Sequence, residues 1–130
     1  MVKLDILSDP ICPWCYIGKA NLFKALEQVG EHPFLIEWHP FQLNPDMPAT
    51  GMDRREYLEN KFGGKEAAVK AYAPVAGAAE AAGLTLNLDK ITRTPNTVDA
   101  HRMVRFAGPG GDVMMARLFR AYFEEGSDIG

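Results

Sequence analysis

The feature that most constrains this chain is a pair of cysteines separated by two residues, placed where a strand-like run gives way to a helix-like one. They are its only cysteines. Cys12 and Cys15 stand in Asp9-Pro10-Ile11-Cys12-Pro13-Trp14-Cys15-Tyr16. Leu4-Asp5-Ile6-Leu7 precedes this stretch, and a helical pattern runs from Pro13 to about Val29. A helix turns once per about 3.6 residues, so positions three apart share a face and the two sulfurs can reach disulfide distance. Proline is favoured at the first helical position, where its missing N–H would be unpaired anyway. Cys12 is thereby placed at the N-cap, facing the free N–H groups of the first turn. Those donors and the helix dipole favour an anion, so the sequence predicts a lowered Cys12 pKa. Cys15 lies a turn deeper. The pattern reads as a thiol–disulfide redox site, with Cys12 as nucleophile and Cys15 as resolving thiol. Trp14 offers a flat apolar surface beside the reacting sulfur.

Two other uses of such a pair fit less well. A structural zinc site needs two more ligands of the right spacing. The chain has no further cysteine, and His32, His39 and His101 are scattered singly. A structural disulfide closing so short a loop gives little entropic stabilisation. No metal and no bound organic cofactor are therefore expected.

The chain has 130 residues, enough for a core. Its net charge is −3 and it carries no basic stripe, so nucleic acid is not an implied partner. No apolar run approaches membrane-spanning length, and Met1-Val2-Lys3-Leu4-Asp5 enters the first strand with no apolar leader. A cytoplasmic location is expected. In a reducing compartment a cysteine pair is more often catalytic than structural.

The pattern along the chain begins with a strand at Val2 to Leu7 and the helix from Pro13. That helix carries Ile17, Ala20, Phe23, Leu26 and Val29 as a stripe for packing on a sheet, and Gly30 stops it. Phe34 to Phe41 reads as a second strand, with Pro40 confining it to an end or edge. A strand–helix–strand unit predicts parallel pairing with a right-handed crossover. The redox pair then lies at the carboxyl end of the sheet. After Gln42 the texture becomes helical. Asp53 caps a helix through about Phe62, and Lys65 to Ala82 is helical with a kink or break predicted at Pro74. Leu84 to Thr94 reads as a short strand or an extended connector. Asn96 and Asp99 resemble a capping box for a helix over Val98 to Phe106, and Asp112 is placed as the cap of a final helix. Two strands make a marginal sheet. We therefore expect these residues to be the front part of a longer protein, or to be completed by a partner chain.

Several segments together carry a likeness. Cys12-Pro13-Trp14-Cys15-Tyr16-Ile17-Gly18, Trp38-His39-Pro40-Phe41, Pro95-Asn96-Thr97 leading to Ala100-His101-Arg102, and Leu118 to Phe123 with Asp128-Ile129-Gly130 resemble the DsbA-like thioredoxin superfamily, in particular its FrnE-type branch. The resemblance covers essentially the whole chain. It implies an α/β fold: a thioredoxin-like strand–helix–strand over residues 1–42, with a helical insertion domain over 43–130. The family's later strands, its final helix and its cis-proline loop have no counterpart here, so the sheet is expected to be incomplete; Pro95 and Pro109 lie elsewhere. The resemblance implies a dithiol–disulfide oxidoreductase or isomerase with Cys12 and Cys15 as the redox pair, and Pro13 and Trp14 beside the substrate. Its partners would be protein or small-molecule disulfides and dithiols, with glutathione as a candidate co-substrate. Relatives that use glutathione on small aromatic substrates carry serine at the position of Cys12, and cysteine argues against that chemistry here.

Three functions stay open on these residues: the disulfide oxidoreductase or isomerase, a glutathione-dependent isomerase or transferase, and a non-catalytic chaperone-like binding module. Other residues have simpler uses. Trp38 and His39 face opposite sides of the second strand, and His39 reads as a hydrogen-bonded structural residue unless it lies near the cysteines. His101, Met114 and Met115 read as packing residues, with a Met-lined peptide groove as the rival use of the methionines. Asn44 and Asn96 read as a turn residue and a helix cap; relatives that bind glutathione near this face make both candidate contacts for such a ligand.

Overall fold

The computed structural model describes all residues from Met1 to Gly130. Strand β1 (Val2–Ser8) is followed by helix α1 (Pro13–Val29) and strand β2 (Phe34–Pro40). The two strands pair in parallel from Val2 opposite Phe34 to Ser8 opposite Pro40, as a strand–helix–strand unit requires. The helical part holds α2 (Arg54–Phe62), α3 (Lys65–Ala81), α4 (Val98–Phe106) and α5 (Gly111–Phe123). The architecture is mixed α/β and thioredoxin-like, with little sheet.

A second ladder was not foreseen. β3 (Met52–Asp53) pairs antiparallel with β4 (Arg93–Thr94). Two residues are too few to write an alternating pattern into a sequence. Gly51, just before β3, has φ +75°, and a Cβ there would lie 2.8 Å from the Thr94 carbonyl oxygen. Only glycine lets the two backbones approach so closely. The rest of Leu84 to Thr94 is a connector with one 3₁₀ turn at Leu88–Lys90.

The predicted break at Pro74 does not occur: α3 runs through it. Pro74 sits on the exposed side, where the carbonyl it leaves unpaired can face water. On the other side Val75 and Ala79 are buried against Ile17 of α1, which holds the helix together across the proline. Both predicted caps of the later helices also differ. Thr97, not Asn96, is the N-cap of α4, and its side chain makes no capping bond. Asn96 instead accepts from the Val98 N–H at 2.9 Å and donates to the Met47 carbonyl at 2.7 Å. Asp112 lies inside the first turn of α5, and its carboxylate accepts from Trp38 Nε1 at 2.7 Å. Asp112 is drawn to a tertiary partner, whereas Asn96 keeps a local bond at the helix start and adds a tertiary one. Asp53 does cap α2, accepting from the Glu56 N–H at 3.2 Å.

The main core is built around α5. Met115, Phe119, Tyr122 and Phe123 are fully buried there, joined by Ile11, Tyr16, Ile91 and Val104. Tyr16 of α1 stacks on Phe119 with ring centroids 4.9 Å apart, and its hydroxyl is hydrogen-bonded to Glu124. Helix α1 is therefore anchored by the last helix through Tyr16. The predicted α1 stripe is only partly used. Ile17 is buried against Val75 and Ala79 of α3 rather than on the sheet, and Val29 is exposed.

Candidate active site

β1 ends in buried Ser8, and Asp9-Pro10-Ile11 turn the chain into α1. The Cys12 N–H donates to the Asp9 carbonyl at 2.9 Å, which closes the turn. Cys12 is the N-cap of α1 with extended backbone, and Pro13 occupies the first helical position. The Cys15 N–H points at Cys12 Sγ over 3.4 Å. That is the N-cap contact normally made by a serine or aspartate oxygen, here offered to sulfur. Both cysteines are thiols and both are half-buried. Pro13 is buried, whereas Trp14 is about half exposed and stands at the surface next to them.

Residues from elsewhere close in on this turn. Asp9 is fully buried. Its carboxylate accepts from the Leu43 N–H at 2.9 Å and the Ile11 N–H at 3.4 Å, and His101 Nε2 of α4 lies 3.8 Å away. Burial holds the Asp9 carboxyl above its usual range, and these donors pull it part of the way back. His101 also bonds the Phe41 carbonyl at 3.0 Å, so it ties α4 to the end of β2.

The two thiols titrate as one unit, because each can donate to the other's thiolate. Their mutual hydrogen bond brings the first ionisation down from 9.0 to about 6. The same bond, with burial, pushes the second well above the ordinary thiol range. The lowering falls on Cys15, which the Ser8 hydroxyl and the Asp9 N–H also face, whereas the sequence predicts it at Cys12. Backbone N–H groups of Trp14 and Cys15 oppose the rise at Cys12, as the N-cap position requires. The shift belongs to the pair, whose shared proton lowers its first ionisation. Folding therefore favours the thiolate, a stabilisation present above the ordinary thiol pKa and lost as pH falls through about 6. Alkylation by iodoacetamide should accordingly rise with pH through a first midpoint near about 6. A single midpoint near 9.0 would show that the two sulfurs do not share a proton.

Of the other sequence candidates, His39 lies away from the cysteines. Its Nε2 is 2.8 Å from Asp5 Oδ1 on the neighbouring strand, in an exposed group with Glu37 and Lys3. Asn44 is occupied by the Tyr57 hydroxyl at 3.0 Å. Met115 is core, and Met114 packs against it half-buried. Asp9 and Ser8 read from sequence only as turn residues. The available signal was an acid at a strand end directly before a proline and a cysteine pair.

The sequence profile of the DSBA-like thioredoxin domain matches residues 3–130. The chain belongs to this family. Among curated proteins, this DSBA-like chain is 27% identical to the uncharacterized protein YwbO of Bacillus subtilis over 131 residues, covering 99% of the chain and 60% of YwbO. Among solved structures, it superposes on a probable DsbA oxidoreductase of Streptomyces coelicolor with a TM-score of 0.78 and 27% identity, covering 98% of the chain and 56% of that protein. The fold also matches the cytosolic disulfide reductase DsbM of Pseudomonas aeruginosa, solved with GSH, at a TM-score of 0.61 and 21% identity over 97% of the chain and 57% of DsbM. The chain thus spans less than two thirds of the length of each. No helix in it is long and apolar enough to cross a membrane.

Proposed function

We propose that this DSBA-like chain carries the redox pair of a FrnE-type thiol–disulfide oxidoreductase or isomerase, with Cys12 as nucleophile and Cys15 as resolving thiol. The observation that carries the reading is the Cys15 N–H directed at Cys12 Sγ at the helix N-terminus. In this reading residues 1–42 begin the thioredoxin-like domain and residues 43–130 form its helical insertion. The Cys12 thiolate attacks one sulfur of a substrate disulfide. A mixed disulfide forms and one substrate thiolate leaves. The Cys15 thiolate then attacks Cys12 Sγ, the second substrate thiolate leaves, and a Cys12–Cys15 disulfide remains. The substrate has gained two electrons and the enzyme has lost them. Two glutathione molecules restore the dithiol and leave as glutathione disulfide. Run backwards, the same steps oxidise a substrate dithiol.

Trp14, exposed beside Cys12, and buried Pro13 form the surface against which a protein or small-molecule disulfide would lie. No bound cofactor is needed. Glutathione as co-substrate and a cytoplasmic site of action are in keeping with the DsbM fold relative, which is described as cytosolic and was solved with GSH.

Equilibration in glutathione buffers of graded ratio, followed by thiol trapping and by Trp14 and Trp38 fluorescence, tests this reading. A reversible two-electron transition should appear, with a midpoint inside the range of about −270 to −120 mV known for such pairs. Absence of an intramolecular disulfide at every ratio would overturn it.

A further inference from the structure

Arg54 opens α2 and is only 7% exposed, yet it takes part in none of the ion pairs of the molecule. Its guanidinium donates to three hydroxyls instead. Nη1 reaches Tyr122 Oη at 3.1 Å and Thr94 Oγ1 at 3.4 Å, and Nη2 reaches Tyr72 Oη at 3.2 Å. None supplies a compensating charge. Burial pushes the Tyr122 phenol up to about 12, so it stays neutral. The Tyr72 and Tyr122 rings, with centroids 5.5 Å and 6.0 Å from Cζ, offset part of the cost of burial. A buried guanidinium without a carboxylate is nonetheless rare, because buried charges are normally paired.

Arg54 also lines a cavity of about 490 Å³ between α2, α3 and the 3₁₀ turn. That is the size of a small-molecule site. Leu58, Val69 and Ile91 give it apolar walls. Its other charges largely cancel. Arg55 is paired with Glu59 at 3.8 Å, and Asp53 is committed to the N-cap of α2. Lys65 and Asp89 are opposite in sign, so the lining is formally neutral, and Arg54 is its one buried cation, with no carboxylate partner.

We propose that this cavity binds an apolar monocarboxylate, an alkyl or aromatic acid whose carboxylate meets Arg54 and whose body lies along Leu58, Val69 and Ile91. The planar guanidinium suits a carboxylate, and the apolar wall suits a hydrocarbon rather than a second charge. The site lies on the helical part, apart from the cysteine turn, and does not depend on the redox reading.

Calorimetric titration of the full chain tests it, with octanoate, octanol, octylammonium and inorganic phosphate as probes. Octanoate should bind at one site per chain. Arg54→Gln should weaken it by about ten- to a hundredfold, the size of a lost charge-assisted hydrogen-bond pair. Val69→Trp fills the cavity from its exposed wall without touching the charge, and should abolish binding while the fold, followed by circular dichroism, is kept. If Arg54→Gln does not fold, the Val69→Trp chain decides the matter alone. Octanol, octylammonium or phosphate binding as tightly as octanoate, octanoate binding unchanged in a folded Arg54→Gln chain or in the Val69→Trp chain, or no octanoate binding to the unaltered chain, would overturn the proposal.

Discussion

Cys12→Ser should remove turnover of a glutathionylated peptide or of insulin disulfides, a loss on the order of a thousandfold or more, down to the uncatalysed exchange with buffer thiol. Serine keeps the N-cap contact, since its oxygen accepts from the Cys15 N–H as readily as Cys12 Sγ does at 3.4 Å. The fold should therefore survive, and a loss of activity would report the nucleophile alone. Cys15→Ser should behave differently. The first attack still occurs, but nothing resolves it. One equivalent of mixed disulfide should accumulate on Cys12 and be seen as an added mass. This pair of variants also decides between the sulfurs. Cys12 has the N-cap donors, whereas the early ionisation falls at Cys15 beside Ser8 and the Asp9 N–H. If the adduct forms on Cys15 in the Cys12→Ser chain, the roles are exchanged.

The second large effect concerns stability. Phe119→Ala should cost about 3–5 kcal/mol, the usual range for deleting a buried aromatic ring. Phe119 is fully buried. It stacks on Tyr16 at 4.9 Å and lies 6.5 Å from the Phe123 ring, so the cavity would open between α5 and α1 with little chance of collapse. A domain of this size has about 5–15 kcal/mol in total, so Tm should fall by about 10–20 °C. Val113→Ala, on the exposed side of the same helix, should stay within about 0.5 kcal/mol. Thermal melts of the two chains make the comparison. Equal effects would mean that α5 does not anchor the active-site helix.

Much of the candidate site's geometry was legible because it is local. A strand-like run, a proline at the first helical position and cysteines three apart place both sulfurs on one helical turn without reference to the rest of the chain. The parallel pairing of β1 and β2 and the ends of α1 and α2 at Gly30 and Gly63 follow from equally short patterns. The errors came where a local pattern had a distant competitor. Asp112 has the position and chemistry of a cap, but Trp38, 74 residues away in the chain, takes its carboxylate. Asn96 divides its amide between α4 and Met47. Pro74 would break an isolated helix, but α3 is held from the buried side by Ile17.

By itself, then, the sequence determined the two longer strands, the main helices, their order and the placing of both cysteines at the start of α1, because turns and periodicities act over a few residues. Tertiary structure alone decided three things. It made α5 the centre of the core, it buried Asp9 against His101 beneath the cysteine turn, and it enclosed Arg54 among hydroxyls with no counter-charge. Each depends on which faces meet after the chain has closed. An amino acid's charge or hydrophobicity states that it needs a partner, but not which residue dozens of positions away will supply it.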